Sequence, residues 1–156
     1  MIDDYFNGKE NVLRPANAAA AIISLKNERY LMQLRDNIEN IFYPGHWGVF
    51  GGAIEDCETP EECLLRELEE ELNLKNIILK PLTVSTLDFR YCGLGIIERH
   101  FFYTEISEDI LPSLILGEGK EMRVFCSSEL LKMPRVVPYD STAIWMHSTR
   151  NKVTFR

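Results

Sequence analysis

An early apolar run, Asn17 to Leu25 (Asn-Ala-Ala-Ala-Ala-Ile-Ile-Ser-Leu), predicts a buried strand, although its alanines also suit a helix. The polar triplet Lys26-Asn27-Glu28 is a turn signal, and Tyr30 to Arg35 follows as the hairpin partner. Tyr43 to Gly52, rich in glycine and aromatic residues, predicts loop, short strand and then a tight backbone turn. Leu82 to Phe89 and Ile96 to Ile106 are strand-like, with Cys92-Gly93-Leu94-Gly95 turning between them. Met122 to Cys126 predicts another strand and Ser127 to Leu131 a short helix. Tyr139 to Ser148 predicts a last helix, capped by Asp140 or Ser141, with Trp145 in the core.

The clearest element lies in the middle of the chain. Thr59 is a good N-cap, Pro60 suits the first helical position, and Glu62 stands where a capping box needs it. Leu64, Leu68 and Leu72 recur every fourth residue and form one apolar stripe. Asn73 falls where a helix end needs left-handed backbone, a role in which asparagine is second only to glycine. Strands and helices alternate irregularly, which predicts an α/β layered fold on a mixed sheet rather than a doubly wound one. No repeat, low-complexity tract or linker divides the 156 residues, so one domain spanning 1–156 is expected.

Composition narrows the function classes. No apolar run approaches the roughly 20 residues that span a bilayer, and Met1 to Tyr5 lacks a secretory signature. Cys57, Cys63, Cys92 and Cys126 form no C-x-x-C pair, which suggests reduced thiols, a cytoplasmic protein and no zinc site. A net charge of −7 disfavours an extended nucleic-acid surface. It also sets a problem for any phosphate ligand, which an acidic protein repels unless a divalent cation intervenes.

The predicted helix offers a place for such a cation. Glu67, Glu70 and Glu71 stand at i, i+3 and i+4, so their carboxylates leave from one side, beside the leucine stripe. Glu58 in the preceding loop can join them, and Arg66 is the local counter-charge. Crowded carboxylates either hold a hard divalent cation with oxygen ligands or form a solvated acidic face; spacing alone leaves both open.

The stretch from Gly52 to Leu74 resembles the Nudix box, G-x5-E-x7-R-E-U-x-E-E-x-G-U. Gly52, Glu58, Arg66, Glu67, Leu68, Glu70, Glu71 and Leu74 match it, and Asn73 in place of the last glycine is the one departure. The flanks agree: Trp47-Gly48-Val49-Phe50-Gly51 resembles the family lead-in, with Phe50 at a common proline position, and Glu121 to Leu130 resembles a late family pattern. The resemblance implies an α/β/α sandwich around a mixed β-sheet and a magnesium-dependent hydrolase of phosphoanhydride bonds, with manganese able to substitute. It implies metal ligation by Glu67, Glu70, Glu71 and the backbone carbonyl of Gly51, with Arg66 orienting the carboxylates. Glu67 is a candidate base, and because some members take the base from a later loop, Glu118 and Glu121 are candidates too. A nucleotide-type small molecule is the implied substrate: a nucleotide sugar, a dinucleoside polyphosphate or a modified nucleoside triphosphate.

Arg35 can reach a substrate phosphate or make a surface salt bridge, and Tyr43 and His46 can stack on a base or sugar. Buried packing is the expected role of Trp47 and Phe50, and a structural role that of His100 and His147. Tyr91 stands where dinucleoside polyphosphate hydrolases carry a tyrosine. The resemblance also extends to homodimers, with residues 1–13 a candidate contributor. Rival readings are a catalytically silent nucleotide-binding or regulatory protein on the same fold, and an RNA-end decapping hydrolase. Isopentenyl diphosphate isomerases share the fold, but no extra signature for them is present.

Overall fold

A computed structural model describes residues 15–39 and 41–152 of the chain. Ala18–Leu25 forms strand β1, and all eight of its residues are buried. Alanine has little strand preference of its own; here pairing on both edges decides. One edge runs parallel to β6 (Ile96–Glu105), from Ala18 opposite Arg99 to Ser24 opposite Glu105. The other edge is shared between two partners. Near the hairpin, Ile23, Ser24 and Leu25 face Leu31, Tyr30 and Arg29 of β2 (Arg29–Leu34). Further along, Ala18 to Ala21 face Ala53 to Phe50 of β4 (Phe50–Ala53).

β1 and β2 are therefore joined at the hairpin and then diverge, and the segment from Trp47 to Ala53 fills the fork. Its first part, β3 (Trp47–Gly48), pairs with Leu34 and Gln33 of β2 while its second part pairs with β1. β7 (Glu121–Cys126) extends the sheet beyond β2, and β5 (Lys80–Asp88) closes the other side against β6, giving, among the described residues, a mixed sheet of seven strands.

Alternation along the strands sends side chains to two cores. Ala19, Ala21, Ile23 and Phe50 meet Leu64, Leu68 and Leu72 of helix α1 (Pro60–Leu72) on one face. Ala20, Ile22, Tyr30, Trp47 and Phe101 meet Leu130 of α2 (Ser127–Leu130) and Ala143 and Ile144 of α3 (Pro138–Thr149) on the other. This is the layered sandwich expected from the sequence. The termini of α1 also follow expectation: Thr59 and Glu62 form the reciprocal capping box, and Asn73 adopts φ 54° as the left-handed cap. Trp47 and Phe50 are buried as expected. Among the described residues no helix is long and apolar enough to cross a membrane. Residues 1–13, suggested above as a dimer contributor, lie outside the described residues.

The last helix corrects two expectations. Neither Asp140 nor Ser141 caps it: α3 begins at Pro138, after Val137, with no side-chain cap bond. Asp140 is drawn inward instead, because Val49, at the bend between β3 and β4, needs an acceptor. The Asp140 carboxylate accepts the Val49 N–H at 3.0 Å and is almost fully buried. Trp145 is not a core residue. It stands one position, about 100° of rotation, beyond buried Ile144 and remains 44% exposed.

Candidate active site

The fork brings the box helix against a tight stretch of backbone at Gly51 and Gly52. Gly51 has φ 146°, and a Cβ placed on it would lie 2.1 Å from the Ala19 carbonyl oxygen. A Cβ on Gly52 would lie 2.4 Å from the Glu67 carboxyl group. The two glycines therefore let the β4 backbone approach the α1 carboxylates directly, and the Gly51 N–H donates to Glu71 at 3.3 Å.

Arg66 organises the opposite flank. Its guanidinium donates to Glu58 at 2.8 and 3.2 Å, to Glu67 at 2.8 Å and to Glu70 at 3.4 Å. Held first by Arg66 and then by the Glu55 N–H, the Glu58 carboxyl is pulled down to about 2. Burial raises Glu67 above the usual carboxylate range despite Arg66. Glu71 lies deeper; burial first, then the charges of Glu118 and Glu67, push it up to about 8.

Glu118 joins the cluster because its loop is stitched to the end of the helix and to β2. The Gly117 N–H donates to the Glu71 carbonyl at 2.7 Å, and the Lys120 N–H to the Leu34 carbonyl at 2.9 Å. A cavity of about 280 Å³ results, with Glu67, Glu71 and Glu118 on its wall beside Gly51, Gly52 and Arg35. Glu69, Glu70 and Glu71 also sit in the last turn of α1, where no basic residue stands and the helix dipole is negative. Among the described residues, no three His, Cys, Asp or Glu side chains converge as a ready set of metal ligands while Arg66 holds Glu67 and Glu70. Close glycine backbone, clustered oxygens and an excess of carboxylates over the one arginine that binds them nonetheless suit a hard cation.

A second cavity, of about 180 Å³, adjoins the first across Gly51, Gly52, Ala53 and Arg35. Its walls include Phe42, Leu87, Phe89, Ile97, Arg99 and Tyr139. Phe42 and Phe89 stack with centroids 5.6 Å apart. Arg99 donates to Asp140 at 3.2 and 3.3 Å and lies 4.9 Å from the Tyr139 ring centre. Burial pushes the Tyr139 hydroxyl up to about 12.

The sequence-predicted residues divide accordingly. Gly51, Glu67 and Glu71 border the first cavity; Glu70 belongs to the Arg66 cluster but projects outward, 60% exposed. Arg35 borders both cavities and is braced by its Nε–H to the Phe42 carbonyl at 2.9 Å. Tyr43 and His46 line neither; their rings pack against each other, and Tyr43 also packs against Tyr139. Tyr91 lies outside both, two-thirds exposed (66%) on the short turn Arg90–Cys92. Glu121 is not brought to the cluster. It alternates with Met122 and Val124, which face the α1 core, and is bound by Arg123 on the sheet's other side. Sequence reasoning passed over Phe42, Phe89, Arg99 and Tyr139 as site residues. They come from four separate segments, and the nearest signal was the pair of strands flanking the 92–95 turn.

A family model for the NUDIX domain matches residues 14–145. Among curated relatives, "Putative 8-oxo-dGTP diphosphatase 3" of Mycobacterium tuberculosis is 30% identical over 93 residues, which is 58% of this chain and 42% of that protein. The match thus spans less than half of that relative. Among solved structures, the MutT protein from Methanosarcina mazei Go1 superposes with a TM-score of 0.71 at 17% identity, covering 94% of this chain and all of that one (100%). The NUDIX domain of Shewanella oneidensis NrtR, solved in complex with ADP ribose, gives 0.70 at 18% identity over 93% of this chain and 91% of that one. With the family model spanning most of the chain, and the fold and box helix as described, this protein belongs to the NUDIX domain family.

Proposed function

We propose that the chain is a divalent-metal-dependent pyrophosphohydrolase that cleaves the diphosphate linkage of a nucleotide derivative. The observation that carries this reading is that Glu67, Glu71 and Glu118 line one cavity beside the backbone of Gly51 and Gly52. Carboxylates crowded at the negative end of a helix repel one another, and a hard divalent ion relieves that repulsion. Glu67, Glu70, Glu71 and the Gly51 carbonyl would hold it, with magnesium the expected ion and manganese a substitute. When bound, the ion supplies charge neutralisation for the diphosphate and for the leaving oxygen.

The remaining work falls to the protein's own groups. Arg66 keeps Glu58 ionised and fixes the direction of Glu67 and Glu70; loosening its hold on those two frees oxygens for ligation. Glu67 and Glu118 both border the cavity, and either can accept the proton of an attacking water. Glu118 is the stronger candidate for the base, since no described arginine is hydrogen-bonded to it, whereas Glu121 is bound to Arg123 on the far face. Arg35, between the two cavities, is the cation that takes a phosphate oxygen. The products are a nucleoside monophosphate and a phosphorylated remainder.

The test is a panel of nucleotide sugars, dinucleoside polyphosphates and nucleoside triphosphates with magnesium or manganese, measuring phosphate with and without added phosphatase. Turnover is expected in one class, and Glu70→Gln is expected to lower it by at least about 100-fold while the protein stays folded. Full activity in that variant would remove Glu70 from the metal site. Tight nucleotide binding without hydrolysis under either metal would instead make the chain a binding module.

A further inference from the structure

Resting on the nucleotide reading above, we propose that the second cavity selects a 6-oxopurine base, guanine-like rather than adenine-like, and that Arg99 is the residue that reads it. The polar side chains on the described wall of this cavity are Arg35, Arg99 and Tyr139; the rest of the wall is apolar side chain or backbone. Both arginines are pure hydrogen-bond donors. No carboxylate on this wall is open to a base. Asp140 stands behind Arg99 with one oxygen accepting from the guanidinium and the other from the Val49 N–H. Two backbone acceptors of the wall are engaged as well: the Ala53 carbonyl takes the Cys63 thiol at 3.4 Å and an Arg66 N–H at 3.5 Å, and the Phe89 carbonyl takes the Leu94 N–H at 3.1 Å.

The two arginines divide the work by position. Arg35 borders the carboxylate cavity and stands where the phosphates must pass, whereas Arg99 borders the second cavity alone. Arg99 is also fixed in place. Nε and Nη2 are held by Asp140, and the guanidinium lies 4.9 and 5.3 Å from the ring centres of Tyr139 and Phe101. Nη1 has no acceptor among the described residues. A guanidinium offers a matching edge to the O6 and N7 acceptors of guanine or hypoxanthine. Adenine carries an amino group at position 6, so the same pose sets donor against donor at Arg99. Stacked Phe42 and Phe89, with Leu87 and Ile97, supply the flat apolar walls that any purine needs.

The monophosphate is the product shared by every candidate substrate class, so GMP, IMP and AMP test the base without any turnover. Titration calorimetry with magnesium present is expected to show GMP and IMP binding at least about tenfold more tightly than AMP. Arg99→Lys keeps a charge for Asp140 but loses the planar fork, and the Arg99→Gln/Asp140→Asn pair removes both charges together. Each is expected to bring the IMP-to-AMP ratio close to one, a ratio that partial unfolding does not change. Arg35→Gln is expected to weaken all three alike and leave the ratio intact. A wild-type ratio near one, a ratio that survives both Arg99 variants, or no binding of any monophosphate would each overturn the proposal. Hydrolysis in the substrate panel stands or falls separately.

Discussion

Glu71 carries the sharpest conflict between stability and the proposed function. Its carboxyl is nearly buried, faces Glu67 and Glu118, and is pushed up to about 8, so the metal-free fold resists its ionisation. Glu71→Gln keeps the shape and an acceptor for the Gly51 N–H but removes the charge. In thermal unfolding without metal, the variant is expected to equal or exceed the parent by about 1 kcal/mol, close to the free energy of a tenfold change in proton affinity. It should also lose metal-dependent turnover, and a clear loss of metal-free stability would contradict the repulsion described here. A second contrast separates two glutamates three positions apart. Glu118→Gln is expected to depress kcat by about 100-fold or more, whereas Glu121→Gln, on the opposite face and tied to Arg123, should leave it within a few-fold of the parent.

At the scale of elements, α1 carries its own instructions. Its capping box and left-handed Asn73 are set by residues next to one another in the chain. Thr59→Ala is accordingly expected to cost about 1 kcal/mol in urea unfolding with little change in KM, since the cap lies at the end of the helix remote from Glu70 and Glu71. This locality is why the helix, its apolar stripe and its carboxylate triplet were legible in the sequence. β1 was legible as well, because burial of all eight of its residues leaves a continuous apolar run, and the later strands were legible as apolar and β-branched segments bounded by turn residues. Asp140 and Arg99 were not. One answers an unpaired N–H 91 positions away, and the other acquires its neighbours only when β6 lies beside β1 and under α3. Glu118 stood out no more than Glu121 for the same reason: only the bonds from Gly117 to α1 and from Lys120 to β2 decide which of them turns toward the cluster. Trp145 misled because a large apolar residue in a helix reads as core, while its rotation relative to Ile144 decides its exposure.

For the molecule as a whole, acid stability depends on how α3 is seated. His147 is buried on the inner face of this helix, receives or donates a 2.9 Å hydrogen bond with Tyr30, and leaves Nε2 without a partner among the described residues. Burial first, then Arg150, lowers its pKa from 6.5 to about 4. The folded state thus binds this proton less readily than the unfolded chain does. Its contribution is complete above pH 6.5 and is lost as pH falls from 6.5 toward 4. Urea unfolding across that window is expected to show about 2 kcal/mol of lost stability from this group. In His147→Gln the slope should flatten; an unchanged slope would place the acid sensitivity elsewhere.

The divergence of β1 from β2 has a consequence for which lengths of chain can change. Between Trp47 and Ala53 every residue is committed in register: to Leu34 and Gln33 on one side, to Ala18 through Ala21 on the other, and through Val49 to a carboxylate of α3. Adding one residue there would reverse the direction of each side chain after it, turning Phe50 out of its core and moving Gly52 away from Glu67. The same addition at Lys26–Glu28, where the hairpin is already parted from the cavities by the length of β2, leaves the register of β3 and β4 untouched and disturbs the contacts of Glu28 with Ser127 and Lys152. Evolutionary and engineered length variation should therefore be tolerated at the tip and excluded from the crotch, and paired one-residue insertions, scored for soluble yield and turnover, would reveal the asymmetry.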